Sequence, residues 1–367
     1  MDKKKIGIIT FHTADNYGAL YQCYALQETI LNITNHNVEI IDYCTKKHIY
    51  AYKLIRNRST NPLKNLIRNL KVLHKYRPLR DKQLKFKQFR ERFLLISNKR
   101  YHSELELRSS TIPYEICVTG SDQVFQPYIE DYKAFYLDFD NYSGRKVAYA
   151  PSFGISDFSR MVEERVKPLV SDYAYLSCRE EDGADFLSRI TGKAVPVVLD
   201  PVLLLPPLKW REIGSHVSNV DMPYIYVYDL NGGSQLIKLA QKLQKRYNLP
   251  IICATSNGSL KANGVIFLFD VGPLEMINKI ANASYVITDS FHGAALSICL
   301  GVKVIVKIAN KVASSRLLSL FDQLNISNQI IDDDCQFDEE KLYFNRYDEP
   351  LEILRNKSLT YLKQALE

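Results

Sequence analysis

Short apolar runs recur along the chain, each followed by a stretch with apolar residues three and four apart. Parallel sheets flanked by helices produce this rhythm, so the class is α/β. The runs predict strands at 5–11, 37–43, 115–119, 146–150, 173–177 and 195–199, with helices between most of them. A stretch rich in turn formers, Gly214-Ser-His-Val-Ser-Asn-Val-Asp-Met-Pro223, interrupts the rhythm and marks a domain boundary. The pattern restarts with strand 224–228 and helix 234–247. Strands 250–254, 265–267, 285–288 and 303–307 follow, alternating with helices 273–283, 291–300 and 314–323. The reading is two parallel-sheet domains, 1–215 and 223–345, and a terminal helix within 349–367 that is expected to return to the first.

Length agrees, because 367 residues suit two domains that can each bury a core. The 46% hydrophobic and 24% charged residues exclude fibrous, collagen-like and wholly disordered chains. The longest uncharged, apolar-leaning stretch, 290–302, falls short of the ~20 residues a membrane-spanning helix needs. The basic start is followed at once by a short apolar run and then His12, Asp15 and Asn16, which reads as a first strand rather than an export signal. Seven scattered cysteines, an odd number without close pairs, fit free thiols in a reducing cytoplasm better than a disulfide or zinc framework.

Charge changes the picture in one segment. Residues 46–100 hold 18 Lys or Arg against Asp81 and Glu91, so 18 − 2 = +16, while the whole chain carries +7 and the remainder 7 − 16 = −9. Two basic amphipathic helices are predicted there, at 63–74 and 84–95. They read either as a contact with an anionic surface, such as the inner membrane face or a lipid diphosphate, or as the solvated face of an inserted helical pair. Nucleic acid is a poorer partner, since no aromatic-rich strand motif or recognition-helix pattern accompanies the charge.

Ligands of open parallel sheets collect at the carboxyl ends of strands, so the residues just past each run are the candidates. After the first comes Asn16-Tyr-Gly-Ala, in which Asn16 and Gly18 either cradle an anion or form a capped turn. After the third, Gly120-Ser-Asp-Gln-Val offers Asp122, as a base for a hydroxyl or a cap, together with Gln123. Ser152 follows the fourth. Arg179 follows the fifth, where anion binding competes with simple pairing to Glu180 or Glu181. In Thr288-Asp-Ser-Phe-His-Gly, Ser290 and His292 stand where a strand meets a helix of small residues, a position suited to meeting an anion. Lys307, Lys311 and Arg316 supply cations beyond the next strand.

In their order, Asn16-Tyr-Gly-Ala-Leu, Gly120-Ser-Asp-Gln-Val, Ala150-Pro-Ser-Phe-Gly, Ser177-Cys-Arg-Glu, Leu199-Asp-Pro-Val-Leu-Leu and Thr288-Asp-Ser-Phe-His-Gly resemble the polysaccharide pyruvyl transferase family. The resemblance covers most of the chain outside 46–100. It implies two Rossmann-like domains facing a cleft, similar to glycosyltransferase type B, with 1–215 for the acceptor and 223–345 for the donor. The implied donor is phosphoenolpyruvate and the product a cyclic pyruvate ketal on a sugar; the basic segment 46–100, which the resemblance does not cover, adds the expectation that the sugar belongs to a lipid-linked precursor. On this reading His292 is the general acid or a phosphate clamp, and Asp122 receives acceptor protons. Arg179, Ser290, Lys307 and Arg316 hold the donor, while Asn16, Gly18, Gln123 and Ser152 hold the acceptor. No metal or cofactor is required by such chemistry. Two rivals stay open: a glycosyltransferase that uses a nucleotide sugar, and a non-enzymatic protein that binds glycan lipids.

Overall fold

The structure is a computed structural model that describes residues 3–55, 63–65, 76–217, 222–257, 260–308, 315–331, 344 and 346–367. Its first half alternates β1 (Lys5–Ile9), α1 (Tyr17–Ile33), β2 (Asn37–Tyr43), α2 (Lys46–Ala51), α3 (Tyr76–Phe93), β3 (Ile96–Tyr101), α4 (Glu104–Ser109), β4 (Ile116–Thr119), α5 (Tyr132–Phe135) and β5 (Arg145–Ala148). Helices α6 (Arg160–Val170), α7 (Glu181–Thr191) and α8 (Pro207–Gly214) complete it. The second half runs β6 (Ile225–Asp229), α9 (Gln235–Tyr247), β7 (Ile251–Thr255), β8 (Val265–Leu268), α10 (Pro273–Ala281), β9 (Tyr285–Thr288), α11 (Phe291–Cys299), β10 (Lys303–Lys307), α12 (Ser315–Gln323) and β11 (Ile330–Ile331). The last helix, α13, is Asp348–Leu366.

Among the described residues all strand pairs are parallel. The sheet orders are β3-β2-β1-β4-β5 and β11-β10-β9-β6-β7-β8. Each order reverses direction once, between β1 and β4 and between β6 and β9. Such reversals open a crevice at the carboxyl ends of the strands. The central strands are buried on both faces, which is why they read as continuous apolar runs rather than as alternations.

Two of the expected strands are reduced to single bridges, Val147 with Tyr175 and Cys178 with Val197. Pro196 removes a ladder donor from the second of them, so it cannot extend the sheet. In exchange the basic stretch 46–100 contributes a strand, β3, which pairs with β2. It is a short polar edge strand, with Asn98, Lys99 and Arg100 exposed. Expected helix 63–74 lies mostly outside the described residues; 63–65 are helical. Expected helix 84–95 is α3, which begins earlier and is no freely solvated face. Its Phe86 and Phe89 are buried, Phe89 edge-on to Tyr21 and Tyr24 of α1. Three of its cations point inward: Arg90 bonds Asp15 at 2.9 Å, Lys85 bonds Glu275 at 2.8 Å, and Lys82 lies over the Tyr17 ring at 4.8 Å.

One apolar cluster runs through both halves, joining Ile8 and Leu20 on one side to Tyr226, Val286 and Leu296 on the other. Trp210 is fully buried within it, donates its indole N–H to the Val202 carbonyl at 3.1 Å, and meets Tyr21 and Tyr24 edge-on. Hydroxyls of α1 reach across as well, Tyr17 to the Val271 carbonyl at 2.6 Å and Tyr21 to that of Pro273 at 2.7 Å. Helix α13 folds back on the first sheet, where Tyr361 donates to the Ala148 carbonyl and Ser358 accepts from the Leu199 N–H. The two halves are therefore fastened in one orientation by apolar packing and by directed hydrogen bonds. Among the described residues no helix is long and apolar enough to cross a membrane. The six described cysteines are buried free thiols.

Replacing Phe89 by Ala should remove the anchor of α3 and lower stability by about 3 to 5 kcal/mol, the range for a buried aromatic deleted from a packed core. A denaturant midpoint shifted by less than a third of that range would show that α3 is peripheral to the fold.

Candidate active site

The two reversal points face each other, and the residues just past their strands meet. From the first half, β4 leads through Gly120 and Ser121 to Asp122, whose backbone is held at φ 75°. Ala150, past β5, is also at positive φ, and Asp122 bridges to its neighbour Pro151. Two non-glycine residues in this conformation store strain at one place, a common feature of functional sites. From the second half, α11 begins with Ser290 as its cap, its hydroxyl accepting from the Gly293 N–H at 3.3 Å, so His292 lies in the first turn.

The centre is Asp200, which the sequence motif contains but which the strand-end reading did not single out. Its carboxylate is fully buried. Oδ2 accepts from Arg179 Nη1 at 2.6 Å and from the Ser121 hydroxyl at 2.9 Å, and lies 3.4 Å from His292 Nε2. Oδ1 accepts from the Val202 N–H at 3.0 Å. Burial alone would raise its pKa, but His292 and Arg179 overcome that and hold the carboxyl well below the usual carboxylate range. Asp200 is thus a fixed negative charge between an arginine of one half and a histidine of the other.

Arg179 pairs with Asp200 rather than with Glu180 or Glu181. Glu180 is itself buried, one oxygen accepting the Phe153 N–H at 2.8 Å, and burial pushes its pKa up against the pull of Arg179. The guanidinium of Arg179 is buried, yet its Nε and Nη2 have no hydrogen-bond acceptor; Nη2 comes no nearer than 3.6 Å to Asp122. Its carbon lies 4.6 Å from the centre of the Phe291 ring, and that of Arg316 lies 5.8 Å from the same centre. Burial and the like charge of Arg179 both lower the pKa of Arg316. Two guanidiniums at one aromatic ring, that of Arg179 with two donors unspent, suit a small polyanion.

Gly18 gains its meaning from the opposite half. A Cβ added there would sit 2.0 Å from His292 Nδ1, so only glycine lets α1 approach the imidazole. Asn16 caps α1, its Oδ1 accepting the Ala19 N–H at 3.1 Å, as the capped-turn alternative has it. Ser152 accepts the Gly154 N–H at 3.2 Å, and Gln123 packs against Gly154. Asp122, Gln123 and Asn16 line a common cavity, described further below. Lys307 ends β10, next to β9 and on the same rim as His292. Lys311 lies outside the described residues. Among the described residues no group of three His, Cys, Asp or Glu could hold a metal ion.

A family model for polysaccharide pyruvyl transferase matches residues 16–310, from the cap of α1 to just past β10. The chain belongs to the polysaccharide pyruvyl transferase family. Every residue that meets at Asp200 lies inside the matched span, whereas Arg316 falls just beyond it. Among curated proteins none matches the chain. Of solved structures, a UDP-N-acetylglucosamine 2-epimerase from Listeria monocytogenes, itself described as putative, is similar with TM-score 0.50 and 9% identity, over 99% of this chain and 91% of that one. The UDP-GlcNAc 2-epimerase of Methanocaldococcus jannaschii gives 0.47 and 14%, over 96% and 93%. The heptosyltransferase WaaC of E. coli gives 0.39 and 12%, over 83% and 89%. At such identities the likeness concerns the fold alone, which in this pyruvyl transferase family member is two parallel-sheet α/β domains.

Two outcomes follow from the geometry. Gly18→Ala should displace the imidazole and cost turnover at least ~10²-fold, as angstrom-scale misplacement of a reacting group does, while thermal unfolding moves by only a few degrees. Unchanged turnover would show that His292 tolerates the shift. Asp200, with its folded pKa below its unfolded value near ~3.9, contributes stability that is full above that value and lost as pH falls further. Asp200→Asn should therefore cost about 3 to 5 kcal/mol at neutral pH by leaving Arg179 unpaired, and should flatten the acid limb of the stability curve below pH ~4. An acid limb identical to that of the wild type would remove Asp200 from the centre of the network.

Proposed function

We propose that this family member uses phosphoenolpyruvate as donor and forms a cyclic pyruvate ketal on two hydroxyls of a sugar in a polysaccharide precursor. The observation that carries the reading is the buried Arg179 with two unspent donors, beside Arg316 and His292. Phosphoenolpyruvate presents a carboxylate and a phosphate on one small carbon frame, and the two guanidiniums at the Phe291 ring match those anions in charge and in planar shape.

The chemistry balances on this frame. A proton added to C3 turns the methylene into a methyl group and leaves C2 electron-poor. One acceptor hydroxyl bonds C2, the C2–O bond to phosphate breaks, and the second hydroxyl closes the ring. The two hydroxyls lose two protons, one equivalent to that gained by C3 and one carried off on inorganic phosphate. His292 is the proposed acid toward C3, with ionised Asp200 as the counter-charge for its proton. Asp122, 3.6 Å from Arg179 and lining the neighbouring cavity, is the proposed acceptor for a hydroxyl proton. Arg179 and Arg316 stabilise the charge that develops on phosphate.

The reading includes a lipid-linked acceptor at the inner face of a membrane. Support for it comes from the sequence of 46–80, which holds eleven Lys or Arg and no Asp or Glu. The inward cations of α3 move that role toward the part of the segment before Tyr76.

The nucleotide-sugar alternative is disfavoured by one feature of the second reversal point. The loop after β6, Leu230-Asn-Gly-Gly, has the backbone donors that would cradle a diphosphate, but carboxylates of the chain already occupy them. Leu230 and Asn231 donate to Asp289, and Gly232 and Gly233 donate to Asp229.

Phosphate release from phosphoenolpyruvate on addition of an acceptor sugar is the test. His292→Gln should lower the rate at least ~10²-fold without raising KM for the donor. Arg179→Lys should be nearly as damaging as Arg179→Ala, because lysine keeps the charge and loses the fork. Release of uridine diphosphate by the wild type from a uridine diphosphate sugar, and no phosphate release from phosphoenolpyruvate, would reverse the assignment.

A further inference from the structure

On the acceptor side of Asp122 lies a cavity of about 320 Å³, at the lower end of the ~300–1,000 Å³ range of small-molecule sites. Its walls combine ring faces with carboxylates. Phe11, Tyr43 and Tyr52 supply aromatic surface, while Asp122 and Asp131 supply the acids, 16% and 20% exposed. No lysine or arginine is among the described residues that line it. The one ionisable nitrogen, on His48, is committed to Asp131 at 3.2 Å, and the same carboxylate accepts the Tyr43 hydroxyl at 2.8 Å. His48 and Tyr52 come from the start of the basic segment, which therefore builds one wall of this cavity instead of lying remote from the chemistry. Asp122 belongs to both places, facing this cavity and standing 3.6 Å from Arg179.

We propose that this cavity is the acceptor-sugar subsite and that its two carboxylates, with no lysine or arginine among the described lining residues, restrict it to neutral or amino sugars and reject uronic acids. The inference rests on the pyruvyl-transfer reading. Flat rings suit the apolar face of a pyranose, and carboxylates suit hydroxyl or ammonium donors. A carboxylate on the sugar would meet like charge in a partly desolvated site, which is a repulsive means of discrimination. Charge is thus divided along the cleft, with cations for the donor anions and carboxylates for the acceptor. The product, which carries the new carboxylate, is a poorer fit to the subsite than the sugar that entered.

Saturation-transfer NMR with methyl glucoside, galactoside and mannoside and their matching methyl uronides tests this on the full chain, with phosphoenolpyruvate titrated in parallel by calorimetry. At least one neutral glycoside should bind, at least tenfold more tightly than its uronide. Asp131→Asn should narrow that ratio several-fold with donor affinity unchanged. Tyr52→Ala should weaken the neutral glycoside and also spare the donor, which covers the case that Asp131→Asn disturbs folding. Equal binding of glycoside and uronide, no binding of any neutral glycoside, or a ratio unmoved by Asp131→Asn in a folded variant would overturn the subsite. Failure of phosphoenolpyruvate to bind the wild type would instead overturn the donor assignment.

Discussion

A carboxylate taken wholly out of water is the constraint on which the rest of this cleft depends. Asp200 can remain ionised there only if partners replace its hydration, and the chain supplies them from several separated stretches: Ser121, Arg179, Val202 and His292. Because Arg179 belongs to one half and His292 to the other, this carboxylate stands where the halves meet. The same carboxylate uses only one nitrogen of Arg179, so Nε and Nη2 stay buried beside it without an acceptor. A charge set at the joint of the halves thereby also orients the groups that can meet a donor anion.

That arrangement requires close and directed approach between the halves. The hydroxyls of Tyr17 and Tyr21, the missing side chain at Gly18 and the buried Trp210 each act at the same seam. The apolar cluster through the seam is continuous, so the cleft is the edge of a shared core rather than a gap between independent bodies. Helix α3 belongs to this construction as well. Its aromatic side packs on α1, and its lysine and arginine side chains reach acids on both halves.

Much of this was legible in the sequence, because it depends on local rules. Doubly buried central strands give continuous apolar runs, and strand ends mark where ligands gather, so His292, Asp122 and Arg179 could be named before their positions were known. Asp200 could have been found by the same rule, being the first carboxylate past the run at 195–199, but it sits before Pro201 and reads as a turn former. The purpose of Gly18 was out of reach, since it depends on an imidazole 274 positions further along the chain, 292 − 18. Strand β3 was hidden because edge strands carry charge, and its lysine and arginine merged with the basic stretch. Conversely, the run at 195–199 promised a strand that Pro196 prevents.

The central claim is that the joint around Asp200 is the donor pocket. A crystal structure of the protein with phosphoenolpyruvate measures this most directly. The account predicts one molecule beside Phe291, with its anionic oxygens within hydrogen-bond distance of Arg179 Nη2 and of Arg316, and with C3 turned toward His292. A ligand bound elsewhere in the cleft, with the two unspent nitrogens of Arg179 still without an acceptor, would contradict it.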